Sequence, residues 1–198
     1  MVVKNLKIQL ITYGGRIYML YTYSQIIKLL GTDRKLKCAL ANEQIFKIEK
    51  GVYSNTKYVS ELSVISMKYP NAIFTLNSAF YYHGLTDVIP NLYFIATSKE
   101  ITRIRDKRVK QKYENSKELE LGAIKMHYNS IEIKIYNKER MLIELIRNKN
   151  NLPFDFYKEI ILNYRKIINE LDIQTIQEYA YALPKTNMVL ETLQLEIL

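Results

Sequence analysis

GTDRKLKCALANEQIFKIEKGVYS, residues 31–54, decides how the first third of this chain folds. Gly31 can end one helix and Thr32 can cap another, Asp33 suits the positive end of a helix dipole, and helical character continues to Asn42. At about 100° per residue, Leu36, Ala39 and Leu40 share one side of that helix. The other side holds Arg34, Lys37, Cys38, Ala41 and Asn42, with Lys35 at its edge. One face is apolar, and the opposite face is basic, polar and small. The next residues, Gln44 to Tyr53, alternate and turn around Lys50-Gly51, which predicts a β-hairpin.

Working back from Gly31, TYSQIIKLLG places Thr22 as N-cap with Gln25 three residues on, a capping-box pattern, ahead of Ile26, Ile27, Leu29 and Leu30. Earlier still, Val3, Leu6, Ile8, Leu10 and Ile11 suit a first helix ending at Gly14-Gly15, and Ile17 to Leu20 a short strand. Two short helices joined by Gly-Thr and followed by a hairpin describe a helix-turn-helix with a wing. In that arrangement Arg34 and Asn42 are the residue types that read base edges. Ser24, Thr32, Lys35, Lys37, Lys47, Lys50 and Tyr53 are then expected on the phosphate backbone.

The charge points the same way. Of the net +9, residues 1–57 carry ten basic against three acidic side chains, and residues 58–198 nineteen against seventeen. An anionic partner is expected for the first third. Nucleic acid fits better than a membrane surface, because that stretch has no basic amphipathic helix with a broad apolar face. A single cysteine, Cys38, permits no internal disulfide, which suits a reducing compartment. Lys4, Lys7, Arg16 and Lys28 interrupt the apolar patches of the first thirty residues, so neither a signal-peptide core nor a membrane span fits, and a cytoplasmic location is expected.

The expected fold class is α+β, with a winged helix-turn-helix over residues 1–57 and an α+β domain over 58–198 that ends in a helical bundle. Residues 58–69 read as a helix stopped by Pro70, and Ala72 to Thr75 as a buried strand. Asn77 or Ser78 is expected to cap a helix ending at Gly84, with another strand over Leu92 to Ala96. Glu118 to Tyr128 and Ile131 to Tyr136 alternate around Asn129-Ser130 as a second hairpin. A long helix starting near Pro153 carries Phe154, Tyr157, Ile160, Ile161, Tyr164, Ile167, Ile168 and Leu171 as a core stripe, and Asp172 caps the helix after it.

Several strings in this order are similar to the AbiEi family of antitoxins, from bacterial type IV toxin–antitoxin and phage abortive-infection systems. They are the hairpin closing on Lys50-Gly51-Val52-Tyr53, the run NSAFYYHGLT at 77–86 with Pro90 following, and YNKERMLIE at 136–144. Three positions depart from the family's usual pattern. Asn42-Glu43 stands where Gly is usual, Met141 where Thr follows Glu-Arg, and Glu144 where Asp is usual. The resemblance implies a non-enzymatic autorepressor that binds inverted repeats in its own promoter as double-stranded DNA; such a target suggests two protomers per site, though two independent monomers also fill symmetric DNA. It also implies a C-terminal domain that neutralises a nucleotidyltransferase toxin. No cofactor or metal is implied. The strings single out Ser78, His83, Glu139 and Arg140, for which helix capping, a boundary position and an ion pair are the plainer roles.

Two features stand outside that account. KEITRIRDKRVKQK, residues 99–112, carries seven basic and two acidic side chains. Arg103, Arg105, Lys107, Arg108, Lys110 and Lys112 there form a candidate second surface for DNA, RNA or an acidic partner. Glu118 or Glu120 with Glu132-Ile133-Lys134 has the outline of an ExK metal-dependent nuclease, the enzymatic alternative. In an alternating strand, however, Glu and Lys two apart share the solvent face for no catalytic reason.

Overall fold

The structure, a computed structural model, describes residues 10–13 and 16–197. The fold class is α+β. Two compact units are present, Met1–Pro70 with His127–Ile133, and Asn71–Met126 with Lys134–Leu198.

The first described elements of the first unit are a strand pair, β1 (Leu10–Tyr13) and β2 (Arg16–Thr22). Leu10 and Ile11 are therefore not helical. They pair with Met19 and Tyr18 across an antiparallel ladder in which Ile, Thr and Tyr favour the pleated backbone. The other positions of the expected first helix, Val3, Leu6 and Ile8, lie outside the described residues. Helices α1 (Tyr23–Leu30) and α2 (Asp33–Ala41) follow, then β3 (Phe46–Glu49) and β4 (Val52–Ser54). Among the described residues these strands form one sheet in the order β1-β2-β4-β3. The capping box is complete: Gln25 N–H donates to Thr22 Oγ1 at 3.2 Å, and Thr22 N–H to Gln25 Oε1 at 2.7 Å. Gly31, with φ +92°, closes α1 through its N–H to Ile27 O at 2.7 Å.

Tyr21, Ile26, Leu36, Ala39, Ile45 and Tyr53 form the core between these helices and the sheet. A third helix, α3 (Glu61–Lys68), buries Leu62, Val64 and Ile65. Ser60 N–H donates to the Tyr18 hydroxyl at 3.0 Å, and that hydroxyl also hydrogen-bonds Ser63 Oγ at 3.0 Å. The first unit therefore continues beyond residue 57 to Pro70.

The second unit is built on β5 (Ile73–Phe74), β6 (Tyr93–Ser98), β7 (Val109–Glu114), β8 (Ala123–Tyr128) and β9 (Ile131–Tyr136), the last two completed by the hairpin tip 127–133. The sheet order is β7-β6-β5-β9-β8, with β6 and β7 parallel and β5 and β6 antiparallel. Its helices are α4 (Leu76–Tyr82), the short α5 (Ser116–Leu119), α6 (Lys138–Arg147), α7 (Phe154–Ile167), α8 (Ile173–Ala182) and α9 (Thr186–Glu196).

Several local expectations change here. Residues 118–122 are not a hairpin arm. Asn115 starts α5, with Leu119 N–H to Asn115 O at 2.9 Å, and Gly122 at φ +75° turns the chain into β8. The end of the basic run, Val109 to Lys112, belongs to β7, which pairs along all of β6. Thr75, not Asn77 or Ser78, occupies the N-cap position of α4. The α7 stripe buries Tyr157, Ile160, Ile161 and Tyr164, but Phe154, in the first turn ahead of the packed region, is 71% exposed. Asp172 caps α8 as expected, accepting from Gln174 and Thr175 N–H. Among the described residues no helix is long and apolar enough to cross a membrane.

Candidate nucleic-acid interface

Helix α2 divides as its spacing predicts. Leu36 and Ala39 are buried and Leu40 is half-buried, whereas Arg34, Lys35, Lys37, Cys38, Ala41 and Asn42 are all exposed. Thr32 orients the helix by accepting Lys35 N–H on its hydroxyl at 3.3 Å, so that oxygen is already engaged as a cap. Asn42 is the C-cap residue, with its side chain in solvent. Ser24 is exposed on α1 and its hydroxyl hydrogen-bonds that of Thr22 at 3.0 Å. Lys47 on β3 and Lys50 in the turn before Gly51 are exposed, and Gly51 has φ +81°. The ladder slips between Lys47 and Glu49, and such a bulge increases the local twist of the hairpin.

Asp33 is the acidic member of this surface. Its carboxylate lies 3.2 Å from Lys37 Nζ and accepts from the Tyr23 hydroxyl at 3.3 Å. The same carboxylate raises the Tyr23 hydroxyl above the ordinary tyrosine range. Tyr53 does not belong to the surface set. It is 7% exposed and sits in the core, opposite Tyr21 in the β2–β4 ladder, on a strand whose three residues are all buried.

The link from α2 to the hairpin is a Schellman turn. Glu43 N–H donates to Leu40 O and Gln44 N–H to Ala39 O, and Glu43 carries φ +54°. Glycine is the residue that adopts this left-handed position most readily. The end of α4 has the same pair of bonds, Gly84 N–H to Tyr81 O and Leu85 N–H to Phe80 O, with glycine in that place.

The second basic run separates into two groups. Arg103, Arg105, Lys107 and Lys110 are exposed. Arg108 is engaged, its Nη2 lying 2.7 Å and its Nε 2.9 Å from the Asp106 carboxylate. Lys112 is removed from the surface set as well. It points inward to Glu114, at 2.6 Å, and to Glu144.

That lysine belongs to a cluster built by YNKERMLIE. Asn137 Oδ1 caps α6 by accepting Arg140 N–H at 2.9 Å. Arg140 has no solvent exposure and stacks 4.8 Å above the Tyr136 ring. Its partner is Glu144, one turn on, rather than the adjacent Glu139: Nε donates to Glu144 Oε1 at 3.1 Å, and Nη2 lies 2.9 Å from the same oxygen without hydrogen-bond alignment. Arg147 adds a contact of 2.7 Å to that oxygen. Burial pushes the Glu144 carboxyl up, but Lys112, Arg140 and Arg147 outweigh it and hold the group below the usual carboxylate range. Gly122 lets the chain pass against this helix, since a Cβ there would lie 2.7 Å from Arg140 Cβ.

The remaining motif residues are structural in the same way. Ser78 is fully buried and its hydroxyl accepts Phe94 N–H at 2.8 Å, tying α4 to β6. His83 Nε2 lies 2.6 Å from Tyr136 O, and burial lowers its pKa. Glu139 accepts Asp172 N–H at 3.5 Å. These residues join secondary elements.

Of the acid and lysine set of the nuclease alternative, the structure brings Glu120 and Lys134 together. Glu118 accepts from Asn115 Nδ2 at 2.8 Å, Glu120 holds Lys134 at 2.7 Å, and Glu132 is half-buried. Among the described residues no three His, Cys, Asp or Glu side chains gather as a metal ion would require. The chain matches no protein-family model and no curated protein sequence.

Proposed function

We propose that the first unit is a winged-helix module that binds double-stranded DNA in a sequence-selective way, and that the protein is an autorepressing antitoxin of AbiEi type. The observation that carries the DNA reading is the division of α2: Leu36 and Ala39 anchor it, while every basic and small side chain of its other face is exposed, as are Lys47 and Lys50 of the following hairpin. A helix held by its apolar face, with Arg34 and Asn42 outward and small Cys38 and Ala41 between them, suits close approach to a major-groove floor. Lys35, Lys37, Lys47 and Lys50 supply charge for flanking phosphates. Neutralisation of a nucleotidyltransferase toxin by the second unit is supported by the ordered strings 77–86 and 136–144.

The test is titration of the full chain against its own upstream DNA and a scrambled duplex, over several salt concentrations, with and without magnesium. Selective, salt-sensitive shifts without cleavage support the repressor reading. Equal affinity for both duplexes overturns it, and magnesium-dependent nicking replaces it with the nuclease. Co-expression with a nucleotidyltransferase toxin of the kind such antitoxins neutralise tests the antitoxin part, which fails if growth is not restored.

A further inference from the structure

The segment between β6 and β7 has an unusual task. Parallel neighbours normally need a crossover of a dozen or more residues, most often helical, yet only residues 99–108 connect these two. The strands are in register from Tyr93↔Val109 to Ser98↔Glu114, so the chain leaves at one end and must return to the other. Turns occupy both ends of the connection, through Ile101 N–H to Ser98 O and Val109 N–H to Asp106 O. The steps from Ile101 to Asp106 must therefore cross the length of a six-residue strand, roughly 17 Å at about 3.3 Å per residue, which requires nearly extended backbone. Ile104 N–H donates to Gln111 Oε1 at 2.8 Å and pins the middle of this strap beside β7.

An extended strap alternates its side chains, and this one does so from Arg103 onward, after Ile101 and Thr102, which are both exposed. Ile104, Asp106 and Arg108 are half-buried, whereas Arg103, Arg105 and Lys107 face solvent. Arg103 and Arg105 thus stand about 6.6 Å apart along the strap, two strand-like steps. That spacing is comparable to the separation of neighbouring phosphates along one nucleic-acid strand. Among the described residues neither arginine forms an ion pair, while the strap's half-buried acid, Asp106, is already held by Arg108. On the strand that pins the strap, Tyr113 is 41% exposed and shares a sheet face with Gln111, two residues away. Exposed cations on a strap pinned to a strand that carries an exposed aromatic ring on the pinned face offer the combination that holds single strands, the charges tracking the backbone and the ring stacking on a base.

We propose that the strap at residues 99–108 with Tyr113 is a binding site for single-stranded nucleic acid, separate from the duplex-reading surface of the first unit and independent of that reading.

The experiment is fluorescence-anisotropy titration of the full chain with labelled 12-nucleotide oligo(U) and oligo(dT), and with a duplex of the same length, from low to physiological salt. The variants are Arg103→Ala/Arg105→Ala, a charge-matched control Lys158→Ala/Lys166→Ala on exposed α7 positions, Tyr113→Ala, Tyr113→Phe, and Arg34→Ala. The strap double variant is expected to lose about tenfold or more in single-strand affinity at low salt, and to flatten the salt dependence by about 1.4 in log–log slope, two phosphates' worth. The α7 control, Tyr113→Phe and Arg34→Ala are expected to retain binding, and Tyr113→Ala to weaken it about fivefold or more. Comparing oligo(U) with oligo(dT) identifies RNA or DNA as the strand held. The proposal is overturned if wild type binds neither oligonucleotide, if the α7 control loses as much as the strap variant, if the short duplex is held through the strap equally well, or if polyglutamate competes as strongly as oligonucleotide. The last result would mark the strap as a surface for acidic proteins.

Discussion

Helices α2 and α6 are both short, amphipathic and rich in cations, and they put those cations to opposite uses. On α2, Arg34, Lys35 and Lys37 are in solvent, and the ion pair there, Lys37 with Asp33, joins side chains 76% and 51% exposed. Such a pair contributes little to stability. On α6, Arg140 is the largest fully buried side chain among the described residues, and Glu144 beside it gathers Lys112 and Arg147. A basic residue becomes structural when a buried carboxylate lies within reach, and stays available to a ligand when the only nearby acid is itself in water.

The largest effect that bears on this contrast is expected at Glu144. Glu144→Gln leaves Arg140 buried with Lys112 and Arg147 but without their shared anion, and breaking a buried pair in this way costs about 3–5 kcal/mol. Urea denaturation should show a lowered midpoint, and an unchanged one would mean that the cluster is no tighter than the pair on α2. The pH dependence has a definite sign. The folded-state pKa of Glu144 is depressed, so its contribution is present above the ordinary carboxylate pKa, about 4.3, and is lost as pH falls below that value. Wild type should lose more stability than Glu144→Gln on acidification.

Next is Gly122→Ala, which would push a methyl group into Arg140 Cβ and strain a backbone at φ +75°. A cost of about 1–3 kcal/mol is expected from overpacking and strain. Thermal unfolding measures it, and tolerance within experimental error would show that α6 can shift away. On the exposed helix the expected loss is in binding instead. Arg34→Ala should cost about 1–3 kcal/mol and relax selectivity, while Lys50→Ala should weaken all duplexes alike. Equal losses on every sequence for both variants would break the assignment of reader and clamp. In neither case should the unfolding midpoint move appreciably.

The smallest effect sharpens the comparison between the two Schellman turns. Glu43→Gly gives the end of α2 the residue already present at Gly84, and should stabilise the first unit by up to about 1 kcal/mol through relief of left-handed strain. Destabilisation would mean that the Glu43 side chain makes an offsetting contribution.

Much of the first unit is legible in its residues because its signals are short-range. The Thr22 and Gln25 capping box, the stop at Gly31, the Thr32 cap and the two faces of α2 are decided within a few positions of one another. Glu43 is legible in part, since the departure from glycine was visible but not the left-handed backbone it occupies. The misplacements have a common cause. Leu10 and Ile11 satisfy a helical period, yet a partner strand takes them. Glu118 fits an alternating pattern that Asn115 and Gly122 interrupt with a turn of helix. Tyr53 carries a hydroxyl that suits a phosphate, but it lies opposite Tyr21 on a strand whose three residues are all buried.

What the sequence by itself determined is therefore the set of local decisions: caps, turns, the apolar side of each helix and the concentration of charge in the first third. Which cations remain free was decided only by the tertiary structure. Lys112 and Glu144 are 32 residues apart, and nothing near either announces the other. The strap is equally non-local, because its extended form follows from the parallel pairing of the strands it must connect. Local preferences are set by backbone sterics and neighbouring hydrogen bonds, which the adjacent residues specify. The fate of a charge depends on the dielectric and the partners that folding brings to it, and these come from distant parts of the chain.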